Sequence, residues 1–344
     1  MNRQSFLIAG AGLAAGLAAS DALAASGGAP QFRFQSSFWM NLHHTLYYQA
    51  QVLETVYGSG PSDLSAMDRD AFADLRRAAA LDQQRWYESL RIYRDHYAPL
   101  SFVFDETLLE ADNALAIAAG DSLAQAVPQP MRRALETAAP VYRTALWPLH
   151  DARNRTFIAE TSANLARYHE EFSATLSRIY RTPWLAKPYL VDVVAYAQWE
   201  GSYGNDAAGF FHIVMSVQDP DERNLGGIDV LFHEASHSIA MPGTGTIGAA
   251  IARAAAGSNR PEPDQLWHAV IMYTPGRLAE RLFDRDGAGP YTMVWIRAGL
   301  FTRVWPRYYR ALGRHWQPYM DGHGTLETAL ERCVEEIVSL PSQE

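Results

Sequence analysis

The chain has one cysteine, Cys333, in 344 residues. A single thiol excludes an intrachain disulfide framework and a zinc site built from several thiolates. Cys333 falls in the periodic run Leu326, Ala329, Leu330, Cys333, Ile337, so it reads as a small buried hydrophobe on a helix. Charged residues make up 19%, the net charge is -9, and no basic tract occurs, which argues against a nucleic-acid partner. Phosphate loops, dinucleotide fingerprints, a serine elbow and internal repeats are all missing. Gly10, Gly12 and Gly16 lie in the N-terminal apolar region and carry no cofactor signal. Beyond that region no apolar run approaches the length of a membrane span.

The N-terminus reads as a secretory signal peptide over residues 1–24. Arg3 precedes a small-residue apolar stretch from Phe6 to Ala19, and Ala22-Leu23-Ala24 makes a cleavage site. Asn2-Arg3-Gln4-Ser5-Phe6-Leu7 looks like a twin-arginine signal lacking one arginine, which leaves the Sec and Tat routes both open. The expectation is an exported bacterial protein, periplasmic or secreted. Without disulfides, it is held together by core size or bound metal. Residues 25–35 read as a short linker.

The mature chain reads as α+β and predominantly helical. A helical region over 36–182 is expected to pack on a metal-binding region over 183–344. Apolar periodicity predicts helices over 38–56, 72–97, 106–119, 129–147 and 161–181. The texture changes at Pro183. Residues 190–199 and 210–217 are β-branched and aromatic, and their short link predicts an antiparallel pair within a small sheet. Helical texture resumes near Ile228, then over 264–284 with a break at Pro275, over 291–310 and over 325–338.

The segment with specific chemistry is His233-Glu234-Ala235-Ser236-His237. On a helix its histidines share one face, the spacing a single zinc ion needs, and Glu234 can take a proton from an activated water. Catalytic zinc usually takes three protein ligands. His268, in the apolar run Leu266 to Tyr273 with Asp264 as a plausible N-cap, is the first candidate for the third. Glu280 is the second, and Glu262, between two prolines, is a poorer one. Asp229, four residues before His233, would orient a ligand imidazole or cap the helix. Tyr273 is the main candidate donor to a developing oxyanion, with Tyr203 and His212 behind it. Tyr203 is expected in a glycine-rich turn. His43 and His44 are candidates for substrate binding or for supporting the site, and neighbouring helix positions diverge, so one of the two should face it. His323 reads as a turn residue before a helix.

Residues 229–237 resemble the active-site helix of the zincin metallopeptidases. The preceding strands resemble the sheet that borders the cleft in that fold, including its substrate-facing edge strand. The metzincin extension is missing, since no histidine follows at the required offset, and the residues around Glu262 do not match the thermolysin-like second helix. The combination of Asn41-Leu42-His43-His44, residues 190–237 and Leu266-Trp267-His268 resembles uncharacterised secreted bacterial proteins with a zincin-like core. The resemblance implies a zinc peptidase, or a related hydrolase acting on an amide or ester outside proteins. It implies Zn2+ as cofactor and a peptide or small amide as substrate. The alternative is a non-catalytic, zinc-stabilised binding protein of the cell envelope, with a ligand groove lined by the segments around Trp39, Trp86, Trp184 and Trp199.

Overall fold

A four-stranded sheet in the order β1-β2-β4-β3 separates two helical layers. This is a computed structural model, and it describes residues 29–60, 62, 64–118, 123, 125–197, 201–243, 245–257 and 261–339. The signal-peptide expectation lies outside the described residues. Strand β1 (Phe32–Gln35) falls where a linker was expected. Its two phenylalanines alternate with polar residues, and Phe32 packs on Tyr189 and Phe232. Four residues are too few for that alternation to stand out in a sequence.

The first layer comprises α1 (Phe38–Gly58), α2 (Ala66–Leu81), α3 (Gln83–His96), α4 (Glu106–Ala116) and α5 (Gln129–Ala145). Local signals set several of their starts. Ser65 and Asp68 form a capping box, and Asp82 and Asp105 accept from Arg85 N and Leu108 N. Helix α6 (Trp147–Tyr180) is one rod of 34 residues. Pro148 lies in its first turn, where no helical N–H is needed.

Strands β2 (Tyr189–Val194), β3 (Tyr203–Ala207) and β4 (Phe210–Ser216) complete the sheet. It is mixed. The two strands expected to form an antiparallel pair, β2 and β4, run parallel, with Val191 opposite Ile213. The antiparallel pair is β3 with β4, joined by Ala208 and Gly209, the latter at a φ of 90. Tyr203 therefore opens a strand rather than sitting in a turn. The link between β2 and β4 contains an edge strand of its own, which supplies the reversal needed for parallel pairing.

Alternation along the strands assigns the two faces. Tyr189, Val191, Val193, Phe211, Ile213 and Met215 face α6 and the second layer. Val194, Tyr203, Ala207, Phe210 and Val214 face the first layer. The second layer holds α7 (Gly226–Ala240), α8 (Thr246–Gly257) and α9 (Leu266–Arg285). Then follow the short turns α10 (Val294–Arg297), α11 (Pro306–Ala311) and α12 (Gln317–Met320), and α13 (Leu326–Ser339). A π-helical turn over Leu300–Val304 breaks the helix expected at 291–310. Cys333 is buried on α13. Among the described residues no helix is long and apolar enough to cross a membrane.

Candidate metal centre

Helix α7 is buried almost all round: Ile228, Val230, Leu231, Phe232, Ala235 and Ile239 pack in the core, and its polar residues Asp229, His233, Glu234 and Ser236 are buried with them. It lies against the edge strand β3 so closely that a Cβ on Gly204 would stand 3.2 Å from the Glu234 carbonyl. The helix brings His233 and His237 onto one side, and the first turn of α9 brings His268 to them. One nitrogen of each of the three imidazoles lies within 4.8 Å of the others. The ring centroids are 5.0, 5.3 and 5.0 Å apart. His233 Nδ1 lies 3.1 Å from the Ile271 carbonyl of α9. A carbonyl only accepts, so Nδ1 carries the hydrogen and Nε2 the lone pair.

Burial, then the neighbouring histidines, holds His233 and His237 well below the ordinary imidazole pKa. Burial lowers His268 to about 4. All three are neutral at pH 7, the form that binds a metal. Burial, then the charge of Glu222, pushes Glu234 well above the usual carboxylate range. Its Oε1 lies 3.5 Å from His233 Nε2 and its Oε2 lies 3.8 Å from His237 Nε2. Glu234 Oε2 is buried and has no hydrogen-bond partner among the described residues. Three neutral imidazoles, each with a nitrogen within 4.8 Å of the others, beside the buried Glu234 carboxyl form a donor set that fits one divalent cation, and the nitrogen ligands suit zinc.

Three tryptophans surround the imidazoles. Trp267 stacks on His268 at 5.0 Å, Trp305 stands edge-on to His268 at 5.8 Å, and Trp295 stands edge-on to His233 at 4.7 Å. The Trp295 Nε1 atom is buried and has no partner among the described residues. The strap carrying Trp295 is fixed by two carboxylates. Asp229 Oδ2 accepts from Tyr291 Oη at 2.9 Å and Val294 N at 3.0 Å, and Glu280 Oε1 accepts from Met293 N at 2.9 Å. Burial pushes Asp229 up to about 6, against the pull of those two donors.

The other candidates lie elsewhere. Glu280 stands twelve residues beyond His268 on α9, roughly 18 Å along the axis at the rise of an α-helix, and it pairs with Arg277 at 2.7 Å. Glu262 is exposed in a loop. Asp229 makes no side-chain cap, and its Oδ2 serves the strap rather than a ligand imidazole. Asp264 is not a cap either, because α9 starts after Gln265. Tyr273 donates to Gln317 and lines a cavity of about 890 Å³ with Arg277, Glu280 and Tyr291. It is five residues on from His268, so it leaves α9 on a different side.

On the other face of the sheet Tyr203, His43 and His44 gather on the buried Asp112, while His212 meets Asp192 and Asn113. Tyr203 Oη bonds Asp112 and lies 3.1 Å from His44 Nε2. His212 lies 3.1 Å from Asp192 and 3.2 Å from Asn113. Both adjacent histidines of α1 reach one carboxylate, at 3.3 and 3.6 Å from Asp112 Oδ1, because α4 presents Asp112 between them. Burial would raise Asp112, but His44 and His43 hold it well below the usual range. Trp39, Trp86 and Trp184 are core residues, and Trp86 and Trp184 have bonded indole nitrogens, so they line no groove. Trp199 lies outside the described residues.

Sequence reasoning missed Trp295 and Glu222. Glu222 ties the start of β3 to the end of β4, accepting from Ser202 N, Ser202 Oγ and Ser216 N. Burial and the charge of Asp219 push it up to about 8. No local pattern marks either residue. Comparison of the chain with protein-family models, curated proteins and solved structures finds no match.

Proposed function

We propose that the protein is a zinc-dependent hydrolase that cleaves peptide or related amide bonds. The observation that carries this reading is the pairing of three neutral imidazoles, His233, His237 and His268, with Glu234, whose buried Oε2 has no hydrogen-bond partner among the described residues. A zinc ion held there supplies a Lewis acid that acidifies water and polarises a carbonyl. Glu234 takes a proton from the attacking water as its oxygen bonds to the carbonyl carbon. It returns a proton to the nitrogen as the C–N bond breaks. The oxygen that gains charge needs a donor. Tyr273, Tyr203 and His212 have other partners, whereas the N–H of Trp295, whose ring packs on His233, has none among the described residues, which supports Trp295 in that role.

Strand β3 ends the sheet, with its outer edge unpaired among the described residues. An extended peptide could add to that edge beside α7, as the zincin resemblance implies. The leader-like N-terminus supports a substrate outside the cytoplasm. A purely structural zinc site would use all four positions for protein ligands, and it would have no use for a buried glutamate with one oxygen left without a hydrogen bond.

Metal analysis of the purified protein, beside Glu234→Gln and a broad peptide-library assay, tests the proposal. Stoichiometric zinc in both proteins, with hydrolysis only in the wild type, is the expected result. No zinc bound or taken up would remove the site. Zinc without Glu234-dependent hydrolysis would leave a metal site and remove the peptidase.

A further inference from the structure

Helix α9 runs without interruption from Leu266 to Arg285, although Pro275 lies inside it. Proline has no N–H, so position 275 sends no hydrogen to the carbonyl four residues earlier. That carbonyl belongs to Ile271, and it is the group that His233 Nδ1 meets at 3.1 Å. In an unbroken α-helix the same oxygen is the acceptor of its own helix. Here a missing backbone donor on one helix coincides with an imidazole donor arriving from another.

We infer that Pro275 is a positioning residue for the metal centre. It withholds the helical hydrogen bond from Ile271, so that this carbonyl is left to hold His233. The bond fixes the imidazole as the Nδ1–H tautomer and keeps the Nε2 lone pair towards His237 and His268. The inference rests on the zinc reading for its purpose, but its geometry stands without metal. It also accounts for a proline in a buried helix, a position where it removes a bond and crowds the preceding turn. A carboxylate could orient the imidazole equally well, but a buried carbonyl does so without adding charge beside a site that already holds Glu234.

The test compares Pro275→Ala with Pro140→Ala, because Pro140 lies inside α5 and outside the metal centre. Three properties are read: zinc affinity by competition with a chromophoric chelator, thermal melting of the metal-free protein, and the His233 tautomer by two-bond 1H–15N correlation. In Pro275→Ala the restored N–H competes for Ile271. Zinc affinity should fall by roughly 10- to 100-fold, the cost usual for losing a ligand's hydrogen-bond partner. The metal-free melting temperature should not fall, and Pro140→Ala should bind zinc like the wild type. In the metal-free wild type His233 should carry its proton on Nδ1.

Wild-type zinc affinity in a well-folded Pro275→Ala overturns the inference and leaves the hydrolase reading standing. So does an Nε2–H tautomer of His233 in the wild type, which needs no variant to fold. A wild type that binds no zinc but keeps the Nδ1–H tautomer, and loses it in Pro275→Ala, removes the hydrolase reading and supports the positioning.

Discussion

Replacing Asp229 with asparagine should make the protein more stable at neutral pH. Asp229 is fully buried and among the described residues keeps two donors, Tyr291 Oη and Val294 N, both on Oδ2, while Oδ1 has no partner there. Burial pushes its pKa up to about 6, and the charge of Glu280 adds to the rise. An unfolded aspartate titrates near 4, so the shift is roughly two pH units, or about 3 kcal/mol at 1.36 kcal/mol per unit. The sign follows from proton counts. Between about pH 4 and 6 the folded chain keeps a proton that the unfolded chain releases, so stability falls as pH rises through that window. Above it the group's full cost is present, and below it the cost is gone. Asparagine carries no charge at any pH. Its carbonyl can accept both existing bonds, while its amide replaces the partnerless Oδ1 with an unpaired donor, at a cost of about 1 kcal/mol. The expected net gain at pH 7 is therefore about 2 kcal/mol, changing to a loss of about 1 kcal/mol at pH 4. Urea unfolding of the metal-free proteins at both pH values measures the difference, and groups common to both cancel. A wild-type-to-variant difference that does not change with pH would refute the reasoning.

Four further substitutions test the roles assigned at the centre and the packing behind it. His268→Ala should weaken zinc binding by more than roughly 100-fold, beyond the range of a supporting contact, whereas Glu280→Gln should leave zinc stoichiometry intact; metal titration reads both. Trp295→Phe should lower kcat on the order of 100-fold, the usual effect of removing one oxyanion donor, at unchanged zinc content; equal kcat would free the indole from that role. Gly204→Ala places a Cβ 2.9 Å from the Phe211 ring and 3.2 Å from the Glu234 carbonyl. It should destabilise the fold by about 1–3 kcal/mol as overpacking does, and urea midpoints check it.

The pentad was legible because its chemistry lies within five consecutive residues and helix geometry alone sets the two histidines together. His268 was legible in part, as a histidine in an apolar helix that a metal would explain. Glu280 was equally legible as a residue type, and only the length of α9 removes it. Pro275 was visible, but it was expected to break the helix. Its actual consequence depends on His233 arriving from α7 to meet Ile271. The parallel pairing of β2 and β4 was hidden by the short edge strand between them, whose Gly204 and Asn205 carry little strand signal.

Local patterns in the chain are thus enough for the helix-rich character, for the apolar helix that carries His233, Glu234 and His237, and for His268 as their partner of first choice. These follow from periodicities of a few residues and from the donor atoms each side chain owns. Tertiary structure alone decided that His43, His44 and Tyr203 serve Asp112, and that His212 serves Asp192 and Asn113, on the other face of the sheet. It also decided that Asp229 and Glu280 fasten the strap bearing Trp295, and that Ile271 holds His233. Each of those assignments depends on which surfaces α1, α4, α7, α9 and the sheet turn towards one another. That is settled by burial of apolar faces far apart in sequence, where no local spacing carries the information.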